Sequence, residues 1–245
     1  MVLFITKKDS ILYTVFETLK NLECNTFMFK ITPKEVHIQS SDIAKICILN
    51  VKLENKYFEK YNVEETITLE LDIDFINKIC KLFSKRSDTL FRYEDNYLFI
   101  ENIQNNSNDV DKRFRINTID SKNYNIIDIN KLVINNDFRL ETKNFMNISN
   151  DLNVFDDDIM FTITNKNMCF SCHNEYGDIQ YYINNITNDY KICLSYKLKF
   201  IVKNKLINLF DYMNLKLDNE KPLILNLKNE NINIDYLIAP NYICD

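Results

Sequence analysis

The chain has 245 residues, a net charge of -5, 46% apolar residues, two histidines, seven cysteines and a single glycine, Gly177. Dinucleotide folds and P-loops place several glycines where backbone closes on phosphate, so one glycine excludes Rossmann and P-loop chemistry. Two histidines leave little material for histidine-rich metal sites, and the apolar content supports a full core in one large domain or two of about 120 residues each.

The first segment, MVLFITKKDSILY, places its charges after a short apolar stretch, the wrong order for a signal peptide. No run approaches the ~20 apolar residues that span a bilayer, so the chain is expected to be intracellular with no membrane partner. Cys24, Cys47, Cys80, Cys169, Cys172, Cys193 and Cys244 are odd in number and irregularly spaced, as expected of reduced thiols. The 36 asparagines are scattered and read as compositional background.

Ser10–Leu22 predicts a helix, with Ile11, Val15, Leu19 and Leu22 at helical spacing and Asp9 or Ser10 as N-cap. Residues 27–38, FMFKITPKEVHI, alternate around a turn near Pro33 and predict a β-hairpin. A strand follows at Thr66–Leu71, then a helix at Asp72–Phe83 with Phe75, Ile79, Leu82 and Phe83 on one face, then strands at Leu90–Arg92 and Leu98–Glu101. Asp120–Asp137 is polar with isolated isoleucines and reads as a linker; Ile126, Ile127 and Ile129 on it are candidates for a docking surface. A helix then falls at Thr142–Val154 with Phe145, Ile148 and Leu152, and a hairpin at 159–170, IMFTITNKNMCF. The last elements are a helix at Ser195–Phe210 and a strand at Pro222–Leu227. Both hairpins carry Met, Phe, Ile, Thr and Lys at an offset of 132, as in Met28/Met160 and Phe29/Phe161, which predicts an internal duplication of mixed helix-and-sheet units. The first half ends near residue 118 and the second begins near 137.

The charge is unevenly placed. Lys78, Lys81 and Lys85 share one face of the 72–86 helix, read as opposite to Phe75, Ile79 and Leu82. Lys197, Lys199, Lys203 and Lys205 lie on the 195–210 helix with no acid between them, Lys20 lies on the first helix, and Lys7 and Lys8 precede it. Acid collects at Glu64-Glu65 and Asp156–Asp158. Taken alone, such lysines are better read as ordinary solvated helix faces; a ring around DNA, positive inside and negative outside, needs this split.

The residues that carry a family likeness are SILYTVFETLKNL at 10–22, VHIQSSD at 36–42, FEKYNVEE at 58–65 and PLILNLKNENINIDYLIAP at 222–240. In order over nearly the whole chain, they resemble the proliferating cell nuclear antigen family of DNA sliding clamps. The resemblance implies an α+β DNA-clamp fold with two duplicated helix-and-sheet domains, at 1–118 and 138–245, joined by a connector at 119–137. It implies a homotrimeric ring with helices lining the hole, acting as a processivity factor for DNA polymerase and as a docking platform in DNA replication and DNA repair. It further implies a clamp loader as partner, non-specific duplex DNA held by topology, no enzymatic activity, no catalytic residue, no cofactor and no metal. The expected location is the nucleus, or the replication compartment of a large DNA virus. The alternative readings within this class are a subunit of a heterotrimeric checkpoint ring and a viral or divergent clamp serving transcription.

By the same resemblance, Lys20, Lys78, Lys81, Lys199, Lys203 and Lys205 are the DNA-facing bases, suited to sliding because lysine makes no bidentate grip. Tyr13 and Thr14 stand where relatives often carry lysine, and Asn147 and Asn150 where they often carry arginine, so the hole is expected to be less positive than usual. Ring closure is expected at edge strands Asp111–Thr118 and Asp178–Ile186, with Lys112, Arg113, Phe114, Arg115, Tyr182 and Ile183 at the interface. Gly177 precedes the second, where a tight turn wants a residue tolerant of positive φ. Ser41, Ile46, Ile126, Ile127, Pro222, Ala239 and Pro240 match an apolar pocket for short partner motifs, although Ser41 replaces a commonly apolar residue and the connector lacks the usual Leu-Gly-Ile-Pro. Cys169-Phe-Ser-Cys172-His173 is the one apparent metal motif; on a strand its cysteines point to opposite faces. His37 and His173 are placed in equivalent regions of the two hairpins and read as structural.

Overall fold

Phe29 pairs with Ile38 in one antiparallel hairpin, and Phe161 with Phe170 in another, so the repeated segments keep one register at one sequence offset. The computed structural model describes residues 2–6, 10–83, 88–103, 112–120, 127–164, 167–184 and 191–241. Two units are formed, Met1–Ile43 with Leu49–Ile127 and Lys228–Ile234, and Ala44–Ile48 with Asp128–Leu227 and Asp235–Asp245.

The first unit contains β1 (Val2–Thr6), α1 (Ile11–Asn21), β2 (Thr26–Ile31), β3 (Glu35–Ser41), most of β4 (Cys47–Glu54), β5 (Lys60–Asn62), β6 (Ile67–Asp72), α2 (Ile73–Leu82), β7 (Asp88–Glu94), β8 (Tyr97–Ile103), β9 (Arg113–Asn117) and β10 (Ile119–Asp120). One sheet runs β5-β1-β7-β8-β9, and β10-β6-β2-β3-β4 pair in that order in another. The second unit contains β11 (Asn136–Glu141), α3 (Thr142–Leu152), β12 (Asp158–Ile163), β13 (Asn167–Asn174), β14 (Gly177–Asn184), β15 (Ile192–Lys197), α4 (Leu198–Val202), β16 (Tyr212–Leu217) and β17 (Leu223–Lys228), and β18 (Ile232–Ile238) contributes to both units. Here β14-β13-β12-β15 form a four-stranded sheet, and β17, β16 and β11 are neighbours in order. Each unit therefore runs strand, helix, hairpin, then further strands (β4–β6 in the first, β14 and β15 in the second), a second helix and closing strands. Equivalent strands pair equivalently: β2 takes β3 and β6 as neighbours, and β12 takes β13 and β15.

Aromatic side chains fill the first core. Phe4 stacks on Phe91 at 4.8 Å and meets Phe58 edge-on at 4.9 Å, while Phe27 reaches Phe16 on α1 at 5.4 Å. Rings at these separations add attraction beyond the area they bury. In the second core Phe161, the counterpart of Phe29, meets Phe170 at 5.0 Å and Tyr196 at 5.4 Å.

Three of the expected helices form where their spacing places them, with local differences. Ser10 occupies the N-cap of α1 without a side-chain cap bond; the cap comes from Tyr57, whose hydroxyl accepts the Ile11 N–H at 2.8 Å. Asp9 lies outside the described residues. Asp72 caps α2 by accepting the Phe75 N–H at 2.7 Å. The buried face of α2 is Ile73, Ile76, Asn77 and Ile79, so Phe75 and Leu82 are not core residues as expected but point to solvent, 46% and 52% exposed. The fourth helix is much shorter than Ser195–Phe210. Residues 195–197 belong to β15, and α4 ends at Val202. Asn204 ends it: its buried Oδ1 accepts the Leu206 N–H at 3.1 Å, a local bond that competes with helix continuation.

One glycine cannot serve every turn. Gly177 has φ +150° at the β13–β14 turn, as its position suggested, and among the described residues side chains occupy the other positive-φ sites: Glu23, Lys45, Asp95, Asn96 and Glu220. Asp95 and Asn96 join β7 to β8, where a two-residue hairpin loop requires positive φ at both positions.

Candidate functional site

The basic residues of the first unit sit on two packed helices. Asn77 Nδ2 on α2 donates to Phe16 O on α1 at 2.9 Å, fixing the pair. Lys78 and Lys81 are exposed on α2, beside rather than opposite Phe75 and Leu82. Lys20 is exposed on α1 and pairs with Asp74 at 3.0 Å; that contact holds the Asp74 carboxyl below its ordinary range. Lys7, Lys8, Lys85 and Arg86 lie outside the described residues.

In the second unit Lys197 is on a strand and bonds Asp158 at 2.8 Å, so it leaves the expected basic helix. Lys199 is exposed on α4, its Nζ 4.9 Å from the Phe200 ring, and Lys203 and Lys205 are exposed just beyond the helix. The solvent face of α3 is largely neutral, with Asn144, Asn147 and Asn150 exposed beside Lys143 and Asp151. A concavity of about 610 Å³ runs along it, lined in part by Lys143, Asn147, Asn150, Asn208 and Tyr212.

The expected interface residues lie at sheet edges. β9 pairs with β8 and ends the five-stranded sheet, and β14 pairs with β13 and ends the four-stranded sheet. Along β9, Arg113 and Arg115 alternate with Phe114 and Ile116. Glu101 meets Arg113 at 3.4 Å, Arg115 lies 4.8 Å over the Tyr97 ring, Phe114 packs on Phe83 at 5.6 Å, and Lys112 Nζ donates to Leu82 O at 2.5 Å. Along β14, Ile179, Tyr181 and Ile183 are half-buried and Asp178, Gln180 and Tyr182 are exposed. Asp111 and residues 185–186 lie outside the described residues.

The expected docking residues divide between the units. In the second, the Ala239 N–H donates to Ile46 O at 2.8 Å, with Pro222 and Pro240 half-buried. In the first, Ser41 ends β3 and Ile127 is 46% exposed; Ile126 lies outside the described residues. A residue that sequence reasoning passed over joins this group. Gln39 Oε1 accepts the Ile127 N–H at 2.8 Å, and its Nε2 donates to Ile127 O at 2.9 Å and to Asn50 Oδ1 at 3.0 Å. Asn50 Oδ1 also meets His37 Nε2 at 2.6 Å, and burial pushes the His37 pKa below its ordinary value. The available signal was three polar residues buried on one strand, His37, Gln39 and Ser40, which demand partners.

The hairpin register pairs Lys30 with His37 and Thr162 with Cys169, so His37 corresponds to Cys169 and not to His173. Cys172 is buried and donates to Asp158 O at 2.9 Å, and burial pushes its thiol up to about 12. His173 pairs instead with Asp178 across the β13–β14 ladder.

Residues 2–129 match the family model described as proliferating cell nuclear antigen, N-terminal domain. A "Probable DNA polymerase sliding clamp" of Autographa californica nuclear polyhedrosis virus is 24% identical over 177 residues, 71% of this chain and 68% of that protein. "Proliferating cell nuclear antigen" of Caenorhabditis elegans is 22% identical over 250 residues, 94% and 93% of the two chains. The crystal structure of proliferating cellular nuclear antigen from Entamoeba histolytica shares the fold with a TM-score of 0.82 at 19% identity, covering 98% of this chain and 99% of that one.

Proposed function

Because the chain belongs to the proliferating cell nuclear antigen family, we propose that it is a DNA sliding clamp, a processivity factor that holds duplex DNA by encircling it. The observation that carries the reading is the duplication. One chain presents two equivalent helix-and-sheet units, one with an edge strand at β9 and the other at β14. Edge strands with unpaired backbone groups accept another strand. Three copies joined β9 to β14 close a ring of six units, with Lys112, Arg113, Phe114 and Arg115 on one side of each joint and Tyr182 and Ile183 on the other. The domains in this reading are 1–118 and 138–245, with 119–137 as connector.

Within the ring, Lys20, Lys78, Lys81, Lys199, Lys203 and Lys205 make weak, sequence-independent phosphate contacts. Ser41, Ile46, Ile126, Ile127, Pro222, Ala239 and Pro240 receive short motifs of DNA polymerase and other partners, and a loader opens the ring. The family consists of non-enzymatic processivity factors, and the same is proposed for this chain, acting in the nucleus or at a viral replication site. The test is stimulation of a DNA polymerase on primed DNA. Product length that does not change with added clamp contradicts the reading.

A further inference from the structure

We propose that Gln39 is a positioning residue for partner docking: its buried side-chain amide clamps the connector backbone at Ile127 and thereby presents the Ile127 side chain to the partner. The proposal rests on the clamp reading for what docks there, and on geometry for the clamp itself.

Gln39 is 3% exposed in the middle of β3. Its Oε1 takes the Ile127 N–H and its Nε2 gives to the Ile127 carbonyl, at 2.8 and 2.9 Å, so the amide bonds both polar groups of one connector residue. A side chain thus meets the connector as a neighbouring strand would. The contact fixes more than position. An N–H can only donate and a carbonyl can only accept, so Ile127 dictates which end of the Gln39 amide faces it. That orientation turns Nε2 toward Asn50, so Asn50 must present Oδ1, and His37 Nε2 must then carry a proton to donate at 2.6 Å. A flipped Gln39 amide sets acceptor against acceptor at both Ile127 O and Asn50 Oδ1. The network is self-consistent in one orientation, and a fully satisfied buried network holds its members rigidly. The alternation of β3 puts Gln39 on the face that carries Ser41, another of the expected docking residues, so the same strand sets both. Ile127 itself remains 46% exposed, open to an apolar contact while its backbone is held.

The experiment compares the full chain with Gln39→Met, which keeps the length and burial of the side chain and removes both hydrogen-bonding ends, and with Gln39→Glu, which keeps an acceptor for the Ile127 N–H. Two readouts are taken: amide hydrogen exchange at Ile127, and polymerase stimulation on primed linear DNA, onto which a ring threads without a loader. Exchange at Ile127 is expected to quicken about tenfold in Gln39→Met, the loss of a typical hydrogen bond, and at least as much in Gln39→Glu, whose second carboxylate oxygen faces the acceptors Ile127 O and Asn50 Oδ1. The clamp concentration for half-maximal stimulation is expected to rise about tenfold in Gln39→Met, with the maximal rate unchanged, since the docking surface is mispositioned rather than removed. Unchanged Ile127 exchange in a Gln39→Met chain with native melting behaviour overturns the clamp of the connector. Faster exchange with unchanged half-saturation overturns its role in docking. If the unsubstituted chain gives no stimulation, the sliding-clamp reading fails, and the exchange arm still decides whether Gln39 holds Ile127.

Discussion

At the scale of residues, a chain with one glycine stores backbone strain in its turns. Glu220 sits at φ 60° between β16 and β17, where glycine carries no Cβ penalty. Glu220→Gly is expected to stabilise the fold by about 1 kcal/mol, visible as a raised melting temperature. Gly177→Ala is expected to cost at least about 1 kcal/mol by the same logic, through conformation alone, since an added Cβ there meets no atom within 4 Å. His37 gives a pH signature. Burial lowers its pKa below 6.5, with Lys52 and Lys30 adding to the effect and the Asn50 hydrogen bond and Glu35 opposing it. Its folded value lies below its unfolded value. Between the two, the unfolded chain binds a proton that the folded chain does not, so stability falls as pH drops below 6.5. Urea unfolding at pH 7 and pH 5 should show that loss, and His37→Gln should lessen it; equal slopes in both proteins contradict the assignment.

At the scale of elements, much of the fold was legible in periodicity. The helix at 10–22, the helix at 142–154 and both hairpins follow from 3.6 and 2.0 spacing, because those segments bury one regular face. Two readings failed for physical reasons. In α2 an apolar stripe at 75, 79 and 82 competed with one at 73, 76 and 79, and the apolar pattern alone could not choose; packing on α1 through Asn77 chose the second. In α4 an unbroken run of lysines and aliphatics hid the stop at Asn204, which acts through a local side-chain bond. The Gln39 contact was illegible because its partner, Ile127, lies 88 residues away. Edge strands invite a direct test. In the proposed ring Tyr182→Lys sets a cation on β14 against the basic β9 of the next copy, and roughly 1 kcal/mol of weakening per joint raises the concentration for half-assembly about tenfold. Light scattering reads the outcome. Lys78→Glu with Lys81→Glu should lower the salt slope of DNA association by about 0.9 for each phosphate that is no longer neutralised.

At the scale of the whole molecule, the net charge of -5 is an average over unlike surfaces. Lys78 and Lys81 are exposed on α2 and Lys199 on α4, with Lys203 and Lys205 just beyond it, while the α3 face offers mostly amides beside Lys143. DNA retention by such a clamp is expected to depend more on closure than on charge, because the described helix faces carry few cations to hold the phosphates. The most direct measurement is therefore retention on closed circular DNA, before and after a single cut, at physiological salt. A topological clamp stays on the circle and is lost once the DNA is linear, because it slides off the ends. Equal retention on circular and cut DNA, or no retention on either, contradicts the account.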